Sequence, residues 1–241
     1  MILNLLFNLF LVLWSITYSF ITIPIIFLPY YFISTTLNIS VRVALFMLYF
    51  LCGIKYEVIG IENIPKEKSF IIASKHQSTL ETFIFLLLFK GSVFILKKEL
   101  KWIPFLGLHL MALKMIFIDR KSGVGSIRTI LKLAKMRIQE NKNVIIFPEG
   151  TRVKVGKNAK YKAGIATLYH NLSVPVLPVA LNTGLFWPGG IFSLKKRRGS
   201  ATIEILPQIN PGLSKGDFLE KLRNVIEERS HQLEKDVAGC K

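Results

Sequence analysis

The first 41 residues of the chain contain no Lys, Arg, Asp or Glu, and this restricts the fold more than any other feature. A helix needs about 20 apolar residues to cross the hydrocarbon core of a bilayer. Residues 1–21 (MILNLLFNLFLVLWSITYSFI) supply that length, and residues 30–54 (YYFISTTLNISVRVALFMLYFLCGI) nearly supply a second. Pro24 and Pro29 lie between them. Each lacks a backbone N–H and crowds the preceding turn, so one continuous helix is excluded. The expectation is a helix, a bend and a second helix, together a membrane element over residues 1–53. A cleaved signal peptide fits poorly, because there is no basic leading region and the apolar run is too long. Arg42 makes a simple second span costly unless its charge snorkels or pairs. The pair either crosses fully or enters one leaflet and returns, and the sequence leaves both open.

Beyond Gly53 the composition becomes that of a globular domain with a basic bias. The whole chain carries 32 Lys+Arg against 15 Asp+Glu, a formal charge of +17, nearly all of it in this second part. Such a balance favours anionic partners, from phosphorylated small molecules to acidic lipid head groups. It also places residues 54–241 on the cytoplasmic face, by the tendency of basic flanks to stay inside. The two cysteines, Cys52 and Cys240, have neither metal-ligand spacing nor a disulfide framework.

Short apolar runs then alternate with helical patterns. Residues 70–73, 93–96, 115–118, 144–147, 176–181 and 201–206 read as strands, and their continuous apolarity suits strands covered on both faces. Ile127, Ile130, Leu131, Ala134 and Ile138 recur at helical spacing, and residues 161–169 and 218–233 are helical too. This alternation predicts an α/β domain with a mixed, largely parallel central sheet flanked by helices. No GxSxG elbow, Walker loop or HExxH motif is present, which removes three common catalytic designs.

What remains is the stretch Lys75-His76-Gln77-Ser78-Thr79-Leu80-Glu81-Thr82, after the first strand and at the opening of a helical run. Ser78 and Glu81 have capping-box spacing, so Glu81 has a purely structural use in satisfying early backbone N–H groups. His76 and Glu81 cannot pair along one regular helix, because positions five apart point to different faces. If His76 precedes the helix and Glu81 sits in its first turn, the carboxylate can reach the imidazole. It then fixes the tautomer and leaves the other ring nitrogen to take a proton.

With these residues in place, the chain resembles the 1-acyl-sn-glycerol-3-phosphate acyltransferases of the glycerolipid acyltransferase superfamily, whose histidine and acidic residue are written HX4D. His76 and Glu81 match that pair, with Glu in place of Asp, as some members carry. Lys98-Glu99-Leu100, Pro104, Gly107 and Phe117-Ile118-Asp119-Arg120 look like the second block of the family. Phe147-Pro148-Glu149-Gly150-Thr151-Arg152 is similar to the third, and Val174 to Ala180 to the fourth. The ordered blocks cover residues 70–183.

The resemblance implies catalysis by His76 and Glu81, and substrate binding by Lys98, Arg120, Glu149, Gly150, Thr151 and Arg152. It implies transfer of a fatty acyl group from acyl carrier protein or acyl-CoA to the sn-2 hydroxyl of lysophosphatidic acid. No metal, cofactor or nucleic acid is expected, and membrane lipids are expected partners at a cell inner membrane or another cytoplasm-facing membrane. Another lysophospholipid or glycerol 3-phosphate stays open as acceptor, as does a non-catalytic lipid-binding role. Arg120 and Arg152 offer planar guanidinium forks suited to phosphate, whereas Lys97 and Lys98 either meet phosphate or solvate a loop. The basic run Lys195-Lys196-Arg197-Arg198 is either a solvated loop or a contact for anionic head groups or an acidic carrier.

Overall fold

The computed structural model describes every residue except 67, 68, 120, 121, 158, 240 and 241. Two of these, Arg120 and Cys240, figure in the sequence reading and therefore lie outside the described residues.

The apolar N-terminus folds into the expected pair, α1 (Ile2–Thr22) and α2 (Tyr30–Cys52). Pro24 opens a 3₁₀ turn between them and Pro29 caps α2. The helices run antiparallel, with Trp14 Nε1 donating to Ser40 Oγ at 2.9 Å and Tyr18 Oη 3.3 Å from Thr36 Oγ1. Gly53 ends α2 with φ +66° and returns its N–H to Tyr49 O at 2.8 Å, a conformation that glycine adopts without strain.

Polar residues within the apolar helix hold α1 to the rest of the chain at both ends. Near its start, Asn4 Nδ2 donates to Leu194 O (2.7 Å) and Asn8 Nδ2 to Phe192 O (2.8 Å). Lys196, from the basic run, is buried here, with Nζ 2.6 Å from Asn8 Oδ1 and over the rings of Phe7 and Trp187. At its far end, Thr22 Oγ1 lies 2.5 Å from Nε2 of His109. The basic run is thus divided: Lys195, Arg197 and Arg198 are exposed, whereas Lys196 fastens α1.

The sheet has seven strands: β1 (Ile54–Ile59), β2 (Ile71–Ser74), β3 (Val93–Lys97), β4 (Ile116–Ile118), β5 (Val144–Ile146), β6 (Val176–Leu181) and β7 (Gly199–Ile205). Their order is β1-β7-β6-β2-β5-β3-β4, parallel throughout except where β6 meets β7. Helices α3 (Leu80–Leu88), α4 (Leu106–Ala112), α5 (Val124–Gln139), α6 (Ala163–Leu172) and α7 (Lys215–Gly239) complete the chain.

Six strands fall where the apolar runs predicted them. β1 escaped the reading because Lys55 and Glu57 interrupt it, as suits an edge strand with one covered side chain, Ile54, at its start. α4 escaped because most of its apolar residues remain exposed. The central strands β2, β5 and β6 are buried along their whole length, and Phe7, Leu11, Ile33 and Leu48 of the hairpin join the same core. Five parallel strands end on one side of the sheet. That edge is where open α/β folds commonly hold their ligands.

Candidate active site

The chain leaves β2 at Ser74 and runs without regular structure to α3, so His76 stands at the carboxyl end of a central strand. Its Nδ1 is 2.9 Å from Glu81 Oε1. The same oxygen accepts the backbone N–H groups of Gln77 (2.9 Å) and Ser78 (2.7 Å), and Glu81 Oε2 accepts from Thr183 Oγ1 (2.6 Å). Glu81 is completely buried, and its two oxygens receive four donors, an arrangement suited to an anion.

The Ser78 N–H bond to Glu81 Oε1 is the glutamate arm of a capping box, whereas Ser78 Oγ accepts from Leu80 N at 3.0 Å, one residue short of the other arm. Helix cap and imidazole partner are therefore one carboxylate. In a neutral imidazole that donates Nδ1–H to this carboxylate, Nε2 carries the lone pair, and among the described residues nothing hydrogen-bonds to that nitrogen.

The segment Phe147–Val153 encloses His76 from the neighbouring strand β5. The Phe147 ring stacks on the imidazole with centroids 3.9 Å apart. His76 N donates to Glu149 Oε2 (2.8 Å), and Val153 N donates to His76 O (2.7 Å). Ring, amide and carbonyl of one histidine are thus all fixed by this loop.

Glu149 itself is buried, and its Oε1 has no hydrogen-bond partner among the described residues. Burial is the main reason its acidity weakens, pushing its pKa up to about 8, so the carboxyl is largely neutral at pH 7. Gly150 turns the chain with φ +71° and donates its N–H to Phe147 O; the side of the glycine where a Cβ would stand faces the Lys162 side chain. Thr151 and Arg152 are exposed, with Arg152 Nη2 3.3 Å from Thr79 Oγ1 beside the start of α3.

Lys98 stands apart from this group. It follows β3 and pairs with Asp119 at the end of β4, and that hydrogen bond is the main reason its pKa is raised. Arg120 follows Asp119 in sequence and lies outside the described residues.

The roles of two residues of the cluster were not foreseen. Thr183 is 102 positions from Glu81, so only the pairing of β2 with β6 brings them together. Phe147 read as the end of a buried strand and the opening of the FPEGTR block, with no role of its own. Beside it lies a cavity of about 500 Å³ lined mainly by apolar side chains, among them Ile95, Ile127, Ile130, Ile146, Phe147 and Ile165.

Comparison with known proteins identifies the family and the fold. The model of the family described as Acyltransferase matches residues 55–182, more than half of the chain. A 1-acyl-sn-glycerol-3-phosphate acyltransferase of Pseudomonas aeruginosa is 43% identical over 147 residues, covering 61% of this chain and 57% of that protein. The human 1-acyl-sn-glycerol-3-phosphate acyltransferase alpha is 30% identical over 181 residues, covering 73% of this chain and 62% of that one. The chain therefore spans roughly three fifths of the length of these relatives. The crystal structure of the 1-acyl-sn-glycerophosphate (LPA) acyltransferase PlsC from Thermotoga maritima superposes with a TM-score of 0.77 over 95% of both chains at 24% identity, a likeness of fold.

Proposed function

The chain belongs to the Acyltransferase family, and on that premise we propose that it acylates the sn-2 hydroxyl of lysophosphatidic acid from an acyl-thioester, forming phosphatidic acid. The observation that carries this reading is the His76–Glu81 pair, whose imidazole stacks on Phe147, a residue that also lines the apolar cavity. His76 Nε2 takes the hydroxyl proton as the oxygen attacks the thioester carbonyl. The tetrahedral intermediate collapses with cleavage of the C–S bond, and the imidazolium returns its proton to the departing thiolate of acyl carrier protein or coenzyme A. Glu81 holds the tautomer and balances the transient positive charge.

The remaining site residues divide the work. Arg152 and Thr151 are exposed next to the catalytic loop and are suited to the acceptor phosphate, with Lys98 after β3; the motif gives Arg120, outside the described residues, the same role. Gly150 shapes that loop. Glu149 supports His76 through its backbone, and the apolar cavity beside Phe147 offers room for an acyl chain.

Residues 1–53 act as the membrane element and residues 54–241 as the catalytic domain. Both ends of α1 are bonded to the catalytic domain, although its 21 residues extend about 30 Å. A helix crossing the bilayer would separate those ends. Arg42 is exposed near the middle of α2, on one stripe with Phe46 and Phe50, where a full crossing would put a charge at costly depth. These features favour a hairpin lying in one leaflet, with its exposed Leu, Ile and Phe side chains in lipid.

The test is transfer by purified protein given lysophosphatidic acid and acyl-carrier or acyl-CoA thioester, compared with His76→Ala. Turnover that falls about a hundred- to ten-thousand-fold is expected; equal, negligible turnover by both proteins across acceptors and donors would sink the proposal. For the hairpin, Phe27→Cys in vesicles should label with an impermeant maleimide from the catalytic-domain side alone, if at all. Labelling from the opposite side would show a crossing.

A further inference from the structure

The C-terminal helix α7 lies wholly beyond the segment matched by the Acyltransferase family, yet two of its carboxylates reach the residues on either side of His76. Lys75 Nζ is 2.6 Å from Glu227 Oε2, and Gln77 Nε2 is 2.6 Å from Glu234 Oε1. Lys75, Gln77 and Glu234 are all buried. Residues 75 and 77 share a direction while His76 takes the other, the alternation of an extended chain. Glu227 and Glu234 are seven positions apart, two turns of helix, and so stand on one stripe.

Each carboxylate also makes a second contact, to the chain that follows Arg152. Tyr161 Oη donates to Glu227 Oε1 at 3.3 Å, and Gly156 N donates to Glu234 Oε2 at 3.3 Å. Between them, Ser230 Oγ accepts from Leu181 N, and Leu233 O from Asn182 Nδ2, at the end of β6 beside Thr183. The buried stripe of α7 thus changes character along its length. Phe218, Leu222 and Ile226 fill the core, and then Glu227, Ser230 and Glu234 meet the catalytic edge of the sheet. A helix needed only for packing has no use for two carboxylates on its inner face, because a buried charge destabilises unless fully partnered.

We propose that α7 is a positioning element for acyl transfer. Glu227 and Glu234 each bridge a neighbour of His76 to the loop after Arg152, and so fix the imidazole relative to the loop assigned to the acceptor phosphate. These are positioning residues, acting through Lys75 and Gln77, and their role in turnover rests on the reaction proposed above.

Glu234→Ala removes one bridge and leaves the catalytic and phosphate-binding side chains intact. Its kcat should fall about 10- to 100-fold with both KM values within about threefold, as expected when alignment is lost and contacts are kept. Exchanging the partners, Gln77→Glu with Glu234→Gln, recreates the hydrogen bond in reverse and should recover most of the kcat, whereas Gln77→Glu alone should not. In protein labelled with ¹⁵N-histidine, the His76 Nδ1 resonance, identified by its loss in His76→Ala, should move in Glu234→Ala and return in the exchange. Thermal unfolding should stay cooperative in all variants. A kcat within twofold of wild type in Glu234→Ala, an exchange as poor as the single variants, or an unmoved His76 resonance would overturn the proposal. If Glu234→Ala does not fold, the exchange compared with Gln77→Glu decides it. If wild-type protein transfers no acyl group, the proposed function fails, and the His76 resonance still decides whether α7 sets the histidine.

Discussion

Two buried glutamates meet the same histidine from opposite sides, and their surroundings could hardly differ more. Glu81, from the start of α3, gathers four donors on two oxygens and faces the imidazole. Glu149, from the turn after β5, receives one backbone N–H, leaves its second oxygen orphaned and is held largely neutral by burial. Residue type alone distinguishes nothing here. The number of donors that converge separates a carboxylate suited to an anion beside the imidazole from one left neutral against the histidine backbone.

This contrast can be broken most sharply at Glu81. Glu81→Gln keeps the volume but brings an NH₂ group into a site filled by donors. Turnover should fall about a hundredfold or more. Folding should be affected less, because the amide oxygen can still accept from Gln77 N and Ser78 N. A thermal melt beside the kcat measurement checks both, and a variant that loses stability while keeping its turnover would leave Glu81 only its capping role.

Thr183→Val is a smaller cut. It removes the one donor to Glu81 Oε2 among the described residues and should lower kcat about five- to twentyfold without moving the KM for either substrate. Steady-state kinetics with both substrates varied will show whether the loss stays in kcat.

The smallest effect on turnover, within about threefold, is expected for Glu149→Gln, which copies a neutral carboxyl. Its signature is the pH dependence of stability. The folded pKa of about 8 lies above the ordinary 4.5, so the unfolded chain releases this proton first as pH rises. The stabilisation is complete below the ordinary value and is lost as pH rises through about 8. Wild type should therefore lose stability between pH 5 and 9 relative to Glu149→Gln, by a few kcal/mol at roughly 1.4 kcal/mol per pH unit. Parallel denaturant titrations of the two proteins across that range measure the difference; parallel curves would mean that Glu149 is ionised when folded.

A second contrast, between the hairpin and the catalytic edge, shows how differently the two were legible. The hairpin was readable as a helix, a proline bend and a helix, because apolar length and proline chemistry act locally. Its attachment to the rest of the chain was not, because that rests on Asn4, Asn8 and Thr22, whose partners lie 87 to 192 positions away. At the catalytic edge, the spacing of His76, Ser78 and Glu81 predicted both a cap and an imidazole partner, and one carboxylate supplies both hydrogen bonds. Glu149 stood in the FPEGTR motif, but its contact with the His76 amide appears only once β2 and β5 are paired.

By itself the sequence determined what local chemistry can determine. Charge-free length set the apolar helices, continuous apolar runs set the buried strands, and ordered motifs with their spacing set the histidine and its carboxylate. The tertiary structure alone decided charge and position. It brought Thr183 to Glu81, left Glu149 short of donors, buried one lysine of a basic run under α1, and bonded the carboxylates of α7 to both chain neighbours of His76. Each of these depends on contacts between segments distant in sequence, and burial and donor count exist only after those segments have met.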